Sequence, residues 1–155
     1  MKPQGNARGH RRRAWAGASV VELALLSPLL ALIVIGTVDL GRAFIYYERL
    51  TSAVREGAIY GTYMTGSTNS TAIARRAYAE TNGQLGTPGV DFVVDPSTDV
   101  KFYVGATTTL QTGNLGGGDS VEVTGHYRFR PLTSMLVRIL PANFTIRKSV
   151  RMVIN

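Results

Sequence analysis

The sequence predicts an α+β fold: a long N-terminal helix, transmembrane and then amphipathic, packed on a small antiparallel β-sheet of about four strands. Three observations carry the prediction. From Leu23 to Val38 no residue is charged. Beyond that run, apolar residues keep recurring at three- and four-residue steps as far as about Tyr60, the period of a helix. From about Asp91 the pattern changes to two-residue alternation rich in β-branched side chains, the signature of strands.

A basic leader lies ahead of the apolar run. Lys2, Arg8, Arg11, Arg12 and Arg13 precede Gly17 with no acid among them. They account for most of the net charge of +7, since the rest of the chain sets twelve Lys and Arg against ten acids. A basic block in front of an apolar segment fits control of membrane topology, with Arg11, Arg12 and Arg13 at its centre, better than phosphate binding along DNA. Nucleic acid is therefore not an expected partner. The 155 residues leave room for one domain with short appendages. There is no Cys, which excludes disulfide frameworks, thiolate metal sites and Cys nucleophiles.

Extended to Ala18 and Leu40, the apolar segment has 23 residues, about 34 Å of helix at roughly 1.5 Å per residue. A bilayer core is about 30 Å thick, so the segment can span it. Trp15 at one end and Phe44, Tyr46 and Tyr47 at the other are suited to the two interfaces. The positive-inside rule puts the N-terminus in the cytoplasm and everything after about Leu40 outside. A cleaved secretory signal would have a shorter apolar core and a small-residue cleavage site after it. "VDLGRAFIYYERL" offers a poor one, so a retained single-pass anchor in the cytoplasmic membrane is expected. The organisation is then a cytoplasmic leader over residues 1–17, a transmembrane helix over 18–40 and an extracytoplasmic α+β domain over 41–155.

The helix is expected from about Ser19 to Tyr60. Its second half carries an apolar stripe at Leu40, Phe44, Tyr47, Thr51, Val54 and Ala58, and a separate polar face at Arg42, Arg49 and Glu56. Asp39 and Arg42, at i,i+3 spacing, can pair as the helix leaves the lipid. "TGSTNS" (Thr65–Ser70) reads as a loop and Thr71–Thr81 as a short second helix ending near Asn82-Gly83. Strands are expected at Asp91–Asp95, Val100–Leu110, Ser120–Arg130 and Phe144–Ile154, with "TGNLGGGDS" joining two antiparallel neighbours. Leu132–Leu140, between two prolines, reads either as a short helix or as an apolar loop. The sheet needs the helix to cover its apolar face.

One residue of the span calls for a function. Glu22 is a carboxylate in a run of Ala, Val, Leu and Ile, and intramembrane carboxylates are expensive. It is the fifth residue from Ala18, behind Gly17 and the basic leader. That arrangement resembles the cleavage site of type IV prepilins and pseudopilins, in which a membrane peptidase cuts after the Gly and the apolar segment is retained. Cleavage would create an α-amino group on Ala18, and the Glu22 carboxylate of a neighbouring subunit could pair with it, which makes a buried charge tolerable. The alternative is that Glu22 lies at the cytoplasmic interface near the Arg cluster.

The resemblance extends further. "VELALLSPLL", the "DLGRA" element (Asp39–Ala43, with Asp39, Gly41 and Arg42) and "AVREGAIYG" (Ala53–Gly61, with Arg55, Glu56 and Gly57) together resemble the N-terminal region of TadE-like proteins of the tight-adherence (Flp, type IVb) pilus system. "RFRPLTSML" and "IRKSVRM" near the C-terminus have the family's general look. The resemblance implies a minor pilin or pseudopilin with no catalytic activity and no cofactor. Its implied partners are a prepilin peptidase, other pilins and pseudopilins, the inner-membrane assembly platform and the lipid bilayer. A chain of 138 residues after cleavage is larger than a major Flp pilin and smaller than TadG-like relatives, which favours a TadE-like or TadF-like role, with entry into a surface pilus as one outcome.

No other constellation rises to a site. His10 and His126 have no Cys or carboxylate at metal-ligand spacing, and His126 reads as a solvated strand histidine. "LGGGDS" lacks the Lys of a phosphate loop and precedes a strand. Asn69-Ser-Thr and Asn143-Phe-Thr match a three-residue glycosylation pattern of the kind chance supplies. Arg128, Arg130, Arg138, Arg147, Lys148 and Arg151 read as a solvated basic face. The rival readings are a membrane-anchored binding module and, more distantly, a tethered enzyme. The enzyme would need a polar pocket in the sheet with clustered acids or His126.

Overall fold

A computed structural model of the chain describes residues 8–63, 68–105, 115–132 and 144–155. Its elements are α1 (Arg8–Tyr63), α2 (Ser70–Glu80), β1 (Phe92–Val93), β2 (Val100–Tyr103), β3 (Ser120–Arg128) and β4 (Thr145–Val153). The residues group into two units, one ending at Asp39 and one running from Leu40 to Asn155. The fold is the expected α+β arrangement, with a long N-terminal helix and a four-stranded antiparallel sheet.

The first unit contains the apolar part of α1. Its large hydrophobic side chains from Val20 to Val38 are exposed, and the helix is long and apolar enough to cross a membrane. Pro28 lies inside it. Proline has no N–H, so it cannot bond the carbonyl four residues back, that of Ala24. The Ser27 hydroxyl donates to this carbonyl at 3.1 Å. Thr37 likewise turns its hydroxyl onto the Ile33 carbonyl at 2.8 Å. The polar side chains thus close on the helix backbone, as a hydrocarbon environment requires.

In the second unit α1 lies lengthwise on β3, antiparallel to it. Tyr46 stacks on Tyr127 at 4.8 Å between ring centres. Leu50 and Val54 sit over Gly125, where a Cβ would come within 2.5 Å of the Val54 Cγ2. At Gly61 a Cβ would come within 3.0 Å of Val121. Only glycines permit these approaches. The buried side of α1 is therefore Leu50, Ala53, Val54, Gly57, Ala58 and Gly61, with Ala43 and Tyr46 packed against the core. This corrects the expected stripe. Val54 and Ala58 are buried, but Leu40 and Phe44 are 72% and 64% exposed. The core-facing side there is built from small and aromatic residues, which an apolar count undervalues.

α2 is capped by Asn69, whose side chain accepts from the Ala72 N–H at 3.0 Å. It ends where Asn82 and Gly83 take positive φ, close to the expected boundary. Ile73, Ala74 and Ala77 face inward. The Tyr78 hydroxyl donates to the Val94 carbonyl and accepts from its N–H, at 3.1 and 2.9 Å, tying α2 to the end of β1.

β3 is the central strand. β4 pairs along its whole length on one edge, while β2 and β1 share the other, at Ser120–Val123 and His126–Tyr127. Between them the Thr124 N–H donates to the Asp99 carbonyl at 2.8 Å. β1 is shorter than expected because Asp91 and Asp95 serve turns instead: their carboxylates accept from the N–H groups of Thr87 and Ser97. β2 ends at Tyr103, before Gly105 with φ 56°. The expected continuation to Leu110 and most of Leu132–Leu140 fall outside the described residues.

Candidate functional site

The sequence singles out three stretches of α1, at Gly17–Glu22, Asp39–Arg42 and Arg55–Gly57, and the structure describes all three. Gly17, Ala18 and Glu22 are exposed on the helix, and a Cβ at Gly17 would meet nothing within 4 Å. Residues 18 and 22 are one turn apart and share a face. Glu22 has no hydrogen bond or ion pair among the described residues. Arg11, Arg12 and Arg13 lie on the same helix, about two and a half to three turns before Glu22.

At the start of the second unit Gly41 is exposed with open space around it, and Arg42 is half-buried. Asp39, the last residue of the first unit, is buried at 2% exposure. The Arg42 guanidinium lies over two rings, 5.8 Å from the centre of Tyr46 and 5.9 Å from that of Phe129, which is cation–π geometry. Phe129 in turn meets Phe144 edge-on at 6.2 Å. Burial, and next the neighbouring Tyr46, push the Tyr127 hydroxyl up to about 12. Sequence reasoning assigned Tyr46 to a membrane interface and missed the cluster, because its other members arrive from β3 and the segment before β4.

The Arg55–Glu56–Gly57 element divides its tasks. Glu56 Oε1 accepts from Arg76 Nη2 and Nε at 2.6 and 3.0 Å. This carboxylate raises the Arg76 pKa, through the hydrogen bond first and the charge second. Gly57 lets α2 approach, since a Cβ there would stand 3.1 Å from that of Ala77 and 3.3 Å from the Ile73 carbonyl. Arg55 is exposed. Arg49 reaches the Gln84 carbonyl at 3.4 Å, so the predicted polar face holds α2 and the following loop as well as meeting solvent.

The face of the sheet turned away from α1 carries a polar network. The Glu122 carboxylate accepts from the Ser149 hydroxyl at 2.5 Å and from the Tyr103 hydroxyl at 2.8 Å. These bonds, Ser149's first, hold the Glu122 carboxyl below its usual range against an opposing burial effect. Arg151 donates to Ser120 and lies 4.2 Å over the Tyr103 ring. Arg147 and Arg151 are exposed on this face, as the basic-face reading expects, whereas Lys148 turns to the other side and donates to the Tyr47 hydroxyl at 3.0 Å.

His126 departs from its expected solvated state. It is half-buried, with Nε2 2.9 Å from Asp99 Oδ1. The pair lines an open cleft of about 340 Å³ with Asp91, Asp95, Arg128 and Thr145. Only strand pairing brings residues 27 apart together here, so no local motif signals them. Each acid is engaged: Asp99 also accepts from the Asp95 N–H, Asp95 from Ser97, and Asp91 from Thr87 and Arg130. The Ser97 hydroxyl and then its N–H lower the Asp95 pKa. Among the described residues His126 bonds to no hydroxyl, and no group of three or more His, Cys, Asp or Glu is placed to hold a metal.

Residues 17–58 match the family of TadE-like proteins. The match opens on Gly17 and closes just after Gly57, so it lies wholly on α1 and takes in all three stretches. The chain is TadE-like over this segment, which relates it to pilus assembly and to the membrane. No curated protein and no solved structure matches the chain.

Proposed function

We propose that this chain, TadE-like over residues 17–58, is a non-catalytic minor pilin or pseudopilin needed for assembly of tight-adherence (Flp) pili. A prepilin peptidase cuts it after Gly17 on the cytoplasmic side, and α1 keeps it in the membrane with residues 41–155 outside. Its partners are other pilins and the inner-membrane assembly platform. The observation that carries the reading is the first half of the matched segment: from Ala18 to Val38 it is an exposed apolar helix whose single carboxylate, Glu22, has no partner among the described residues. After cleavage Ala18 would head the helix, and an acid in the first turns is favourable there. In the assembled state the Glu22 carboxylate pairs with the Ala18 ammonium of a neighbouring subunit. An unpaired carboxylate in lipid penalises subunits out of register. The engaged acids of the cleft support the non-catalytic part of the reading.

The test is Glu22→Ala in cells. Loss of pili is expected, with the sheet unit still folded by limited proteolysis. Normal piliation in that strain would remove the pairing mechanism.

The cleft beside His126 favours a second reading, a membrane-anchored binding module. It predicts that an unrelated transmembrane anchor can replace residues 1–40 without loss of function. The pilin reading predicts complete loss in the same experiment.

A further inference from the structure

The end of the sheet unit at which its chain begins carries an exposed apolar corner that extends beyond Leu40, the last residue of the span. From Arg128 to Leu132 exposure alternates: Arg128, Arg130 and Leu132 point outward, while Phe129 is buried. Arg130 precedes Pro131, which favours an extended backbone there. The Arg42 guanidinium, 5.9 Å above the Phe129 ring, puts this corner level with the first turns of α1 in the unit. Leu132 follows three residues later, within about 10 Å at the rise of an extended chain. It is 72% exposed, and Leu40 and Phe44 on α1 are 72% and 64% exposed. Arg130 keeps 71% of its side chain in solvent while one nitrogen touches Asp91.

Large apolar side chains in solvent gain from burial, and a guanidinium beside them selects an anionic surface. The helix that enters this unit at Leu40 has just left a segment built to cross lipid. We propose that this corner is a second, peripheral membrane contact. Leu132 enters the acyl boundary of the outer leaflet beside Leu40 and Phe44, where the span ends, and Arg130 takes lipid phosphates. The inference rests on the reading of α1 as a membrane span. It gives the sheet unit a resting seat on the bilayer, which the subunit must leave when it is drawn into an assembly.

The test uses the full chain in vesicles of phosphatidylcholine and phosphatidylglycerol, with and without brominated acyl chains. The single tryptophan is first removed as Trp15→Phe. Tryptophan is then placed by Leu132→Trp, by Tyr63→Trp at the other end of the unit, or by Leu30→Trp inside the span. Tyr63 is 79% exposed and lies 19 residues beyond Phe44, about 28 Å along the helix. Position 132 is expected to be quenched by bromolipid several-fold more than position 63, and Arg130→Glu to reduce that quenching. If position 30 is quenched and position 132 behaves like position 63, the seat is refuted while the anchor stands. If position 30 is not quenched either, the anchor reading falls and takes the seat with it. Quenching at 132 that Arg130→Glu leaves unchanged refutes the phosphate contact.

Discussion

Gly125 sets how close α1 can come to the sheet. A methyl group there would press on Val54 at 2.5 Å and on Leu50 at 3.0 Å. Overpacking of this kind costs about 1–3 kcal/mol. Gly125→Ala should therefore destabilise the chain although alanine suits a strand at least as well as glycine. Adding Val54→Ala should recover part of the loss, and strict additivity in denaturant unfolding would contradict this packing account. Glu122 gives a prediction in pH. Its carboxyl is held below its usual value of 4.5, chiefly by the Ser149 hydroxyl. A depressed acid contributes stability that is full above the unfolded pKa and is lost as pH falls through the folded one. Ser149→Ala should flatten the fall in stability below about pH 4.5, and an unchanged acid limb would show that the bond is energetically idle. Neither residue draws notice in the sequence. Gly125 reads as a blemish in a strand, and Ser149 as one polar residue among alternating ones, until the register of β3 and β4 sets Thr124 opposite Ser149.

At the scale of elements, the helices and strands were legible and their packing phase was not. Periodicity gave α1, α2 and the four strands, because apolar spacing records burial directly. It misassigned the inward side of α1 near Leu40 and Phe44, where tyrosine and alanine make the core. Strand ends moved where aspartates closed local turns, a competition the alternation pattern does not contain. The span shows the opposite case, in which a dipeptide explains itself. Ser27-Pro28 removes one backbone donor and replaces it with a hydroxyl on the Ala24 carbonyl. Ser27→Ala should leave that carbonyl unsatisfied in lipid, at a cost of about 1–3 kcal/mol. With Pro28→Ala already in place, Ser27→Ala should be nearly neutral, because residue 28 again donates. Unfolding of the micelle-bound helix by denaturing detergent reads both, and equal costs in the two backgrounds would refute the compensation.

For the whole molecule, the matched segment and the folded sheet divide the work. The family match stops at residue 58 and leaves α2 and every strand outside it, so what relates this chain to pilus assembly lies on α1. The sheet unit is joined to that helix by its own devices: Tyr46 on Tyr127, glycines at 57, 61 and 125, and the Glu56–Arg76 pair. The proposed processing motif is read from residue order alone. The His126–Asp99 cleft and the aromatic seat of Arg42 were not legible in that way, because residues distant in the chain build them. The measurement that bears most directly on the proposed role is the intact mass and N-terminal sequence of the protein taken from its native membrane. The account predicts a chain beginning at Ala18 with its apolar helix retained, which would give Glu22 its ammonium partner. A chain still beginning at Met1 in assembled pili would contradict it.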